Sequence, residues 1–140
     1  MSQDDELAAI RHKKMAEILQ TTPIPNDVVN IETTNQFNEL VNQYKSNLII
    51  VDMWAPWCGP CRSFGPVYSA LQQEYFKKGV IFTKLNVDNH QDIMQQFQVS
   101  GVPTSLFILN KKLIHRQVGM LPKPQFMQVI EGVLRKYPQN

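Results

Sequence analysis

The sequence predicts an α/β fold in which strands and helices alternate as βαβαβαββα, with one further helix ahead of them. Two apolar patterns point to it. Leu48-Ile49-Ile50-Val51 is continuously apolar, as suits a strand covered on both faces in a parallel sheet. Phe37, Leu40, Val41 and Tyr44 recur at helical spacing, as do Phe126, Val129, Ile130, Val133 and Leu134. These two patterns alternate along the chain instead of clustering, which is how strand–helix units read.

The chain has 140 residues, 43% apolar and 19% charged, enough for one domain with its own core plus a surplus. Its two cysteines can neither staple a secreted scaffold nor complete a four-cysteine zinc site. A net charge of +2, from 14 basic and 12 acidic residues, argues against nucleic-acid binding driven by charge. The longest apolar runs, Leu48–Val51 and Leu106–Leu109, are of strand length, far short of the roughly 20 residues of a membrane span. The start, Met1-Ser2-Gln3-Asp4-Asp5-Glu6, is acidic where a secretory leader is basic. The expected location is therefore the cytoplasm, a reducing compartment in which a close cysteine pair points to catalysis or metal binding.

Residues 4–20 lack Gly and Pro and are rich in helix formers, with Leu7, Ile10, Met15, Ile18 and Leu19 on a loose apolar stripe. Residues 21–27 contain Pro23 and Pro25 and no periodicity, so 1–27 is expected to be a helical extension and linker, and 28–140 the domain. A short strand at Val28, Val29 and Ile31 leads to a helix capped by Thr33 or Thr34. After strand 48–51, a helix from Cys58 to about Lys78 stops at Gly79. Residues 80–86 read as a strand and 90–97 as a short helix. Strands 104–109 and 113–118 are joined through Asn110-Lys111-Lys112, a turn that Asn-Gly would suit better. Residues 123–137 form the last helix.

Cys58 and Cys61 lie three apart on one helix face, so their sulfurs can meet in a disulfide or part as thiols. At a helix start, Cys58 meets unsatisfied N–H groups and the positive dipole end, which favour its thiolate, the attacking species. Cys61, one turn deeper, is shielded and suited to resolve a mixed disulfide. Pro60 is tolerated in the first turn, whereas Pro66 removes a bond to the Arg62 carbonyl. A structural disulfide over so short a loop would constrain little. A zinc site would need two more ligands, and His12, His90 and His115 are scattered. Redox chemistry outweighs these alternatives and a chance Cys-x-x-Cys.

The segment Val51-Asp52-Met53-Trp54-Ala55-Pro56-Trp57-Cys58-Gly59-Pro60-Cys61 resembles the active-site segment of the thioredoxin family. The resemblance extends over about residues 28–137 through Pro66, Lys84-Leu85-Asn86-Val87-Asp88, Val99-Ser100-Gly101-Val102-Pro103-Thr104 and Val118-Gly119. It implies a mixed central sheet flanked by helices on both faces. It also implies protein-disulfide reductase activity, with Cys58 attacking and Cys61 resolving. Asp52 matches a buried acid that exchanges a proton with Cys61. Lys84 matches a lysine near that acid, and Pro103 a cis-proline opposite the thiols. Trp57, Gly59, Pro60, Gly101, Val102, Pro103 and Gly119 are expected to bind protein substrates, with backbone beside Val102 pairing an extended segment.

Met53 stands where that family usually has Phe, Lys111 where it prefers Gly, and Pro122 and Pro124 crowd the loop after Gly119. None removes a catalytic group. Gly-Pro between the cysteines resembles reducing members, an isomerase-like oxidoreductase being the alternative. A second alternative is a binding module whose first 20 residues dock a partner. Those residues carry four acidic against three basic side chains before Gln20, which disfavours nonspecific phosphate binding. No metal is expected, and the six glycines never fall in Gly-x-Gly-x-x-Gly spacing, so no cofactor is expected either. Electrons must then come from a separate protein, which the resemblance implies is a thioredoxin reductase-type flavoenzyme. The expected state is a monomer.

Overall fold

The computed structural model describes residues 3–11 and 23–138. Residues 3–11 are helical (α1) with exposed side chains, including Leu7 and Ile10. Met15, Ile18 and Leu19 of the predicted stripe lie outside the described residues. Residues 23–28 carry neither helix nor strand. The order then runs β1 (Val29–Ile31), α2 (Thr34–Gln43), β2 (Ile49–Trp54), α3 (Gly59–Tyr75), β3 (Ile81–Asn86), α4 (Gln91–Gln96), β4 (Thr104–Leu109), β5 (Lys112–Val118) and α5 (Lys123–Lys136). Short 3₁₀ turns occupy Phe76–Lys78 and Val87–Asn89. The predicted βαβαβαββα order holds.

Local chemistry accounts for the boundaries. Thr33 caps α2, its hydroxyl accepting the Gln36 N–H at 3.0 Å. Helix α3 runs through Pro66, tightens into the 3₁₀ turn and ends at Gly79, whose φ of 80° a glycine adopts freely. Strand β2 continues three residues past the predicted apolar run, to Trp54. Asp52 stays in the strand because the ladders on both sides hold it, paired with Lys84 on β3 and Ser105 on β4.

The five strands are ordered β1-β3-β2-β4-β5. β3 runs parallel to both β1 and β2, while β4 is antiparallel to β2 and β5, so the sheet is mixed. Alternation along the strands feeds two cores. Ile49, Val51, Met53, Leu106 and Ile108 pack with Phe37, Leu40 and Val41 of α2 and Ile93 of α4. On the opposite face Leu48, Ile50, Phe82 and Phe107 pack with Phe64, Tyr68 and Leu71 of α3 and with Phe126, Ile130 and Val133 of α5. Helices therefore cover both faces, and α3 leaves the carboxyl end of the central strand.

The β4–β5 turn differs from expectation. Its loop has two residues, Asn110 and Lys111, and Lys112 already pairs with Leu109. Both loop residues have positive φ, 52° and 65°, as a type I′ hairpin turn demands. A β-bulge follows, where Phe107 pairs with His115 but Ile108 with Leu113. Ile114, the extra residue, packs on the α3/α5 core while Leu113 packs on the other. Asn tolerates the left-handed region, whereas lysine does so at a cost of roughly 1–2 kcal/mol. Lys111→Gly is therefore expected to stabilise the fold by about 0.5–1 kcal/mol, after the extra entropy that glycine loses. A urea midpoint that rises at constant slope checks it.

Candidate active site

Cys58 is the N-cap of α3, with extended φ and ψ of −91° and 114°. Its sulfur accepts the Cys61 N–H at 3.2 Å, doing at this helix start what a serine or aspartate oxygen does elsewhere. Gly59 and Pro60 fill the first helical positions, Pro60 sitting where its missing N–H is harmless. The two cysteines are joined as a disulfide with Cα atoms 5.3 Å apart, and both side chains are buried.

The loop ahead of β4 faces them. The Val102–Pro103 peptide is cis, and the Val102 carbonyl oxygen lies 3.7 Å from Cys58 Sγ. Several bonds hold this loop. The Thr104 hydroxyl donates to Gly101 O at 2.6 Å, and Gly119 N–H donates to Pro103 O at 2.8 Å. Arg116 on β5 donates through its guanidinium to the carbonyls of Gln98 and Phe97. Gly119, with φ 83°, turns the chain back beside Pro103.

Of the residues expected on the substrate rim, Trp57, Gly59, Pro60 and Gly101 are exposed, Val102 and Gly119 half-buried. Pro103 itself is buried. Trp57 is 69% exposed, and its indole N–H donates to Asp88 Oδ1 at 3.1 Å. Val118 and Met120, flanking Gly119, are also exposed. Asp88, Val118 and Met120 are not among the rim residues expected from the sequence. For the last two the available signal is an apolar pair around a glycine that the motif itself singles out.

Asp52 lies one ladder step before Met53 on β2 and is fully buried. Its side chain points to the α3/α5 face, continuing the Leu48, Ile50 alternation. Burial raises the carboxyl from 3.8 to about 7, and the nearby positive charge of Lys84 opposes that rise. Lys84 is the cross-strand partner of Asp52, and its ammonium sits 5.1 Å above the Trp54 ring. Trp54 is half-buried and packs against the core on the α2/α4 side. From α3 the Tyr68 hydroxyl reaches the same ladder, donating to Thr83 O at 2.7 Å. Burial pushes that hydroxyl well above its ordinary range.

A disulfide within one helical turn removes little freedom from the unfolded chain, so its value lies in being made and broken. The fold and this pair together define a thiol–disulfide oxidoreductase. The chain belongs to the thioredoxin family, whose model matches residues 28–132. It is 45% identical over 82 residues to a thioredoxin of Haemophilus influenzae, covering 59% of this chain and 76% of that one. It is 33% identical over 99 residues to thioredoxin-1 of Caenorhabditis elegans, covering 71% and 84%. Among solved structures, the thioredoxin of Nicotiana alata superimposes with a TM-score of 0.69 at 31% identity, over 86% of this chain and 99% of that one. Among the described residues no helix is long and apolar enough to cross a membrane.

The raised carboxyl has a consequence for stability. Between 3.8 and about 7 the unfolded chain has already released the proton that the folded chain keeps. Stability therefore falls as pH rises through this window and levels off above it. Asp52→Asn is expected to stabilise the oxidised protein by on the order of 4 kcal/mol at pH 8, a gain that disappears towards pH 4. Urea unfolding of both proteins across that range measures it.

Proposed function

We propose that this chain reduces disulfides in other proteins, using Cys58 as nucleophile and Cys61 as resolving thiol. The observation that carries this is the Cys61 N–H aimed at Cys58 Sγ at the start of α3. In the reduced protein, that donor and the helix dipole stabilise a thiolate on Cys58 while leaving Cys61 a buried thiol. The Cys58 thiolate attacks one sulfur of a substrate disulfide. A Cys58–substrate disulfide forms, and the other substrate sulfur leaves as a thiolate that takes a proton from water. Cys61 then gives its proton to Asp52 and its sulfur attacks Cys58. The Cys58–Cys61 disulfide forms, the second substrate sulfur is released, and two electrons have passed to the substrate.

In this reading Asp52 is the proton acceptor and Lys84 tunes it from the next strand. The backbone at Val102, beside Pro103, pairs with an extended substrate segment, leaving the side chains of that segment to Trp57, Gly59, Pro60, Gly101 and Gly119. Val118 and Met120 enlarge that apolar surface. Residues 1–27 are an extension to a domain spanning 28–140. The chain works as a monomer in the cytoplasm, contributes to electron transport and redox homeostasis there, and is recycled by a flavin-dependent reductase. It lacks a dinucleotide fingerprint with which to draw on a nicotinamide itself.

Two experiments follow from this scheme. Cys61→Ser is expected to accumulate mixed disulfides with client proteins on non-reducing gels, whereas Cys58→Ser forms none. Equal trapping by both variants overturns the assignment of roles. Replacing Met120 by Ala is expected to raise KM for insulin about fivefold, as roughly 1 kcal/mol of apolar contact is lost. Turnover of a small aromatic disulfide should be unchanged, because it needs little of the rim.

A further inference from the structure

Ser105 stands on β4 directly opposite Asp52 in the antiparallel β2–β4 ladder. Directly opposed residues project to the same face with Cβ atoms about 4.5–5.5 Å apart. Both side chains are buried, Asp52 at 0% and Ser105 at 1% exposure. Both carboxylate oxygens of Asp52 and the Ser105 hydroxyl are buried without a hydrogen-bond partner among the described residues. Its β4 neighbours are Thr104, whose hydroxyl donates to Gly101 O, and Leu106, and beyond it on the same face stands Phe107 of the apolar core. A hydroxyl left unpaired in that company is destabilising, as is a bare carboxylate.

We propose that Ser105 is a positioning residue for Asp52, its hydroxyl donating to a water molecule that bridges to the carboxylate across the ladder, since no direct bond joins the two groups. The surrounding groups leave this role to it. Lys84 flanks Asp52 from β3 and supplies charge, with its ammonium over Trp54. From α3, the Tyr68 hydroxyl is taken up by the Ile50 and Thr83 carbonyls and by the Thr83 N–H. Cys61, also of α3, is the proton donor of the proposed reaction. On β5 the residue opposite Ser105 is Gln117, whose amide donates to Val118 O at 3.0 Å. Ser105 therefore holds the acceptor's oxygens in place and favours their charged form, acting alongside Lys84 against desolvation. The inference rests on Asp52 being the proton acceptor for Cys61.

The test follows the Asp52 carboxyl carbon by NMR against pH in the oxidised full-length chain, where the disulfide-bonded cysteines do not titrate. Ser105→Ala and Ser105→Val are expected to move the Asp52 midpoint upward by about one pH unit. Ser105→Thr, which keeps the hydroxyl, should titrate like the wild type. An unchanged midpoint in either apolar variant overturns the proposal, and the pair of variants guards against one failing to fold. Failure of the underlying reading shows elsewhere. If Asp52→Asn resolves mixed disulfides as fast as the wild type, Asp52 is not the proton acceptor, whatever the titration of the serine variants shows.

Discussion

The hydrogen bonds that hold β2 between a parallel β3 and an antiparallel β4 set the site as well as the sheet. They place Lys84 on one side of Asp52 and Ser105 on the other, and they carry the chain outward at Trp54 so that α3 starts at the centre of the sheet. A strand so enclosed is expected to be wholly apolar. β2 is apolar on the face toward α2 and α4, through Ile49, Val51 and Met53. On the other face the apolar series ends at Ile50, and the next position carries a carboxylate. The double pairing is what allows a costly side chain to remain there, since leaving the ladder would expose backbone donors and acceptors on both edges.

The second half of the site comes from far along the chain and is held by different means. The Val102–Pro103 loop gains its position from β5, through the Gly119 N–H and the Arg116 guanidinium, and from its own Thr104 hydroxyl. Trp57 is fixed by Asp88, which follows β3. The cysteines thus sit between a helix start supplied by β2 and a loop clamped by β5. Each anchor is a hydrogen bond to backbone or an aromatic ring and not an ion pair. The two ion pairs among the described residues, Lys78–Glu131 and Lys123–Glu74, lie on exposed side chains and contribute little.

Much of this architecture is legible in the amino-acid sequence. Continuous or helical apolar spacing marks β2, β4, α2 and α5, because burial dictates those periods directly. The cysteine pair is legible because its spacing and its place after a buried strand carry their own chemistry. What stays hidden depends on neighbours distant in sequence. Ser105 is an ordinary strand residue until the register sets it against Asp52. Met120 reads as a loop methionine until Gly119 is tied to Pro103. Lys111 is an ill-suited turn residue by its type, but only the backbone shows the loop to be two residues long with both in the left-handed region. Strand β2 runs past its predicted end for the same reason: nothing local announces that Asp52 is paired on both sides.

In the proposed reaction the two cysteines require opposite electrostatic environments within one helical turn. The first sulfur must be charged at rest, and the capping N–H and dipole of α3 provide for that without burying a formal cation beside it. The second must stay protonated until the mixed disulfide forms, and then lose its proton quickly to a nearby base. A solvated aspartate is a poor match for this, lying about five pH units below an ordinary cysteine thiol. Burial lifts Asp52 to about 7, which makes it a better base toward a thiol than a solvated aspartate is. The positive charge of Lys84 opposes the rise. In the proposed reaction, the destabilising carboxylate at the heart of the sheet is the base that receives the second sulfur's proton.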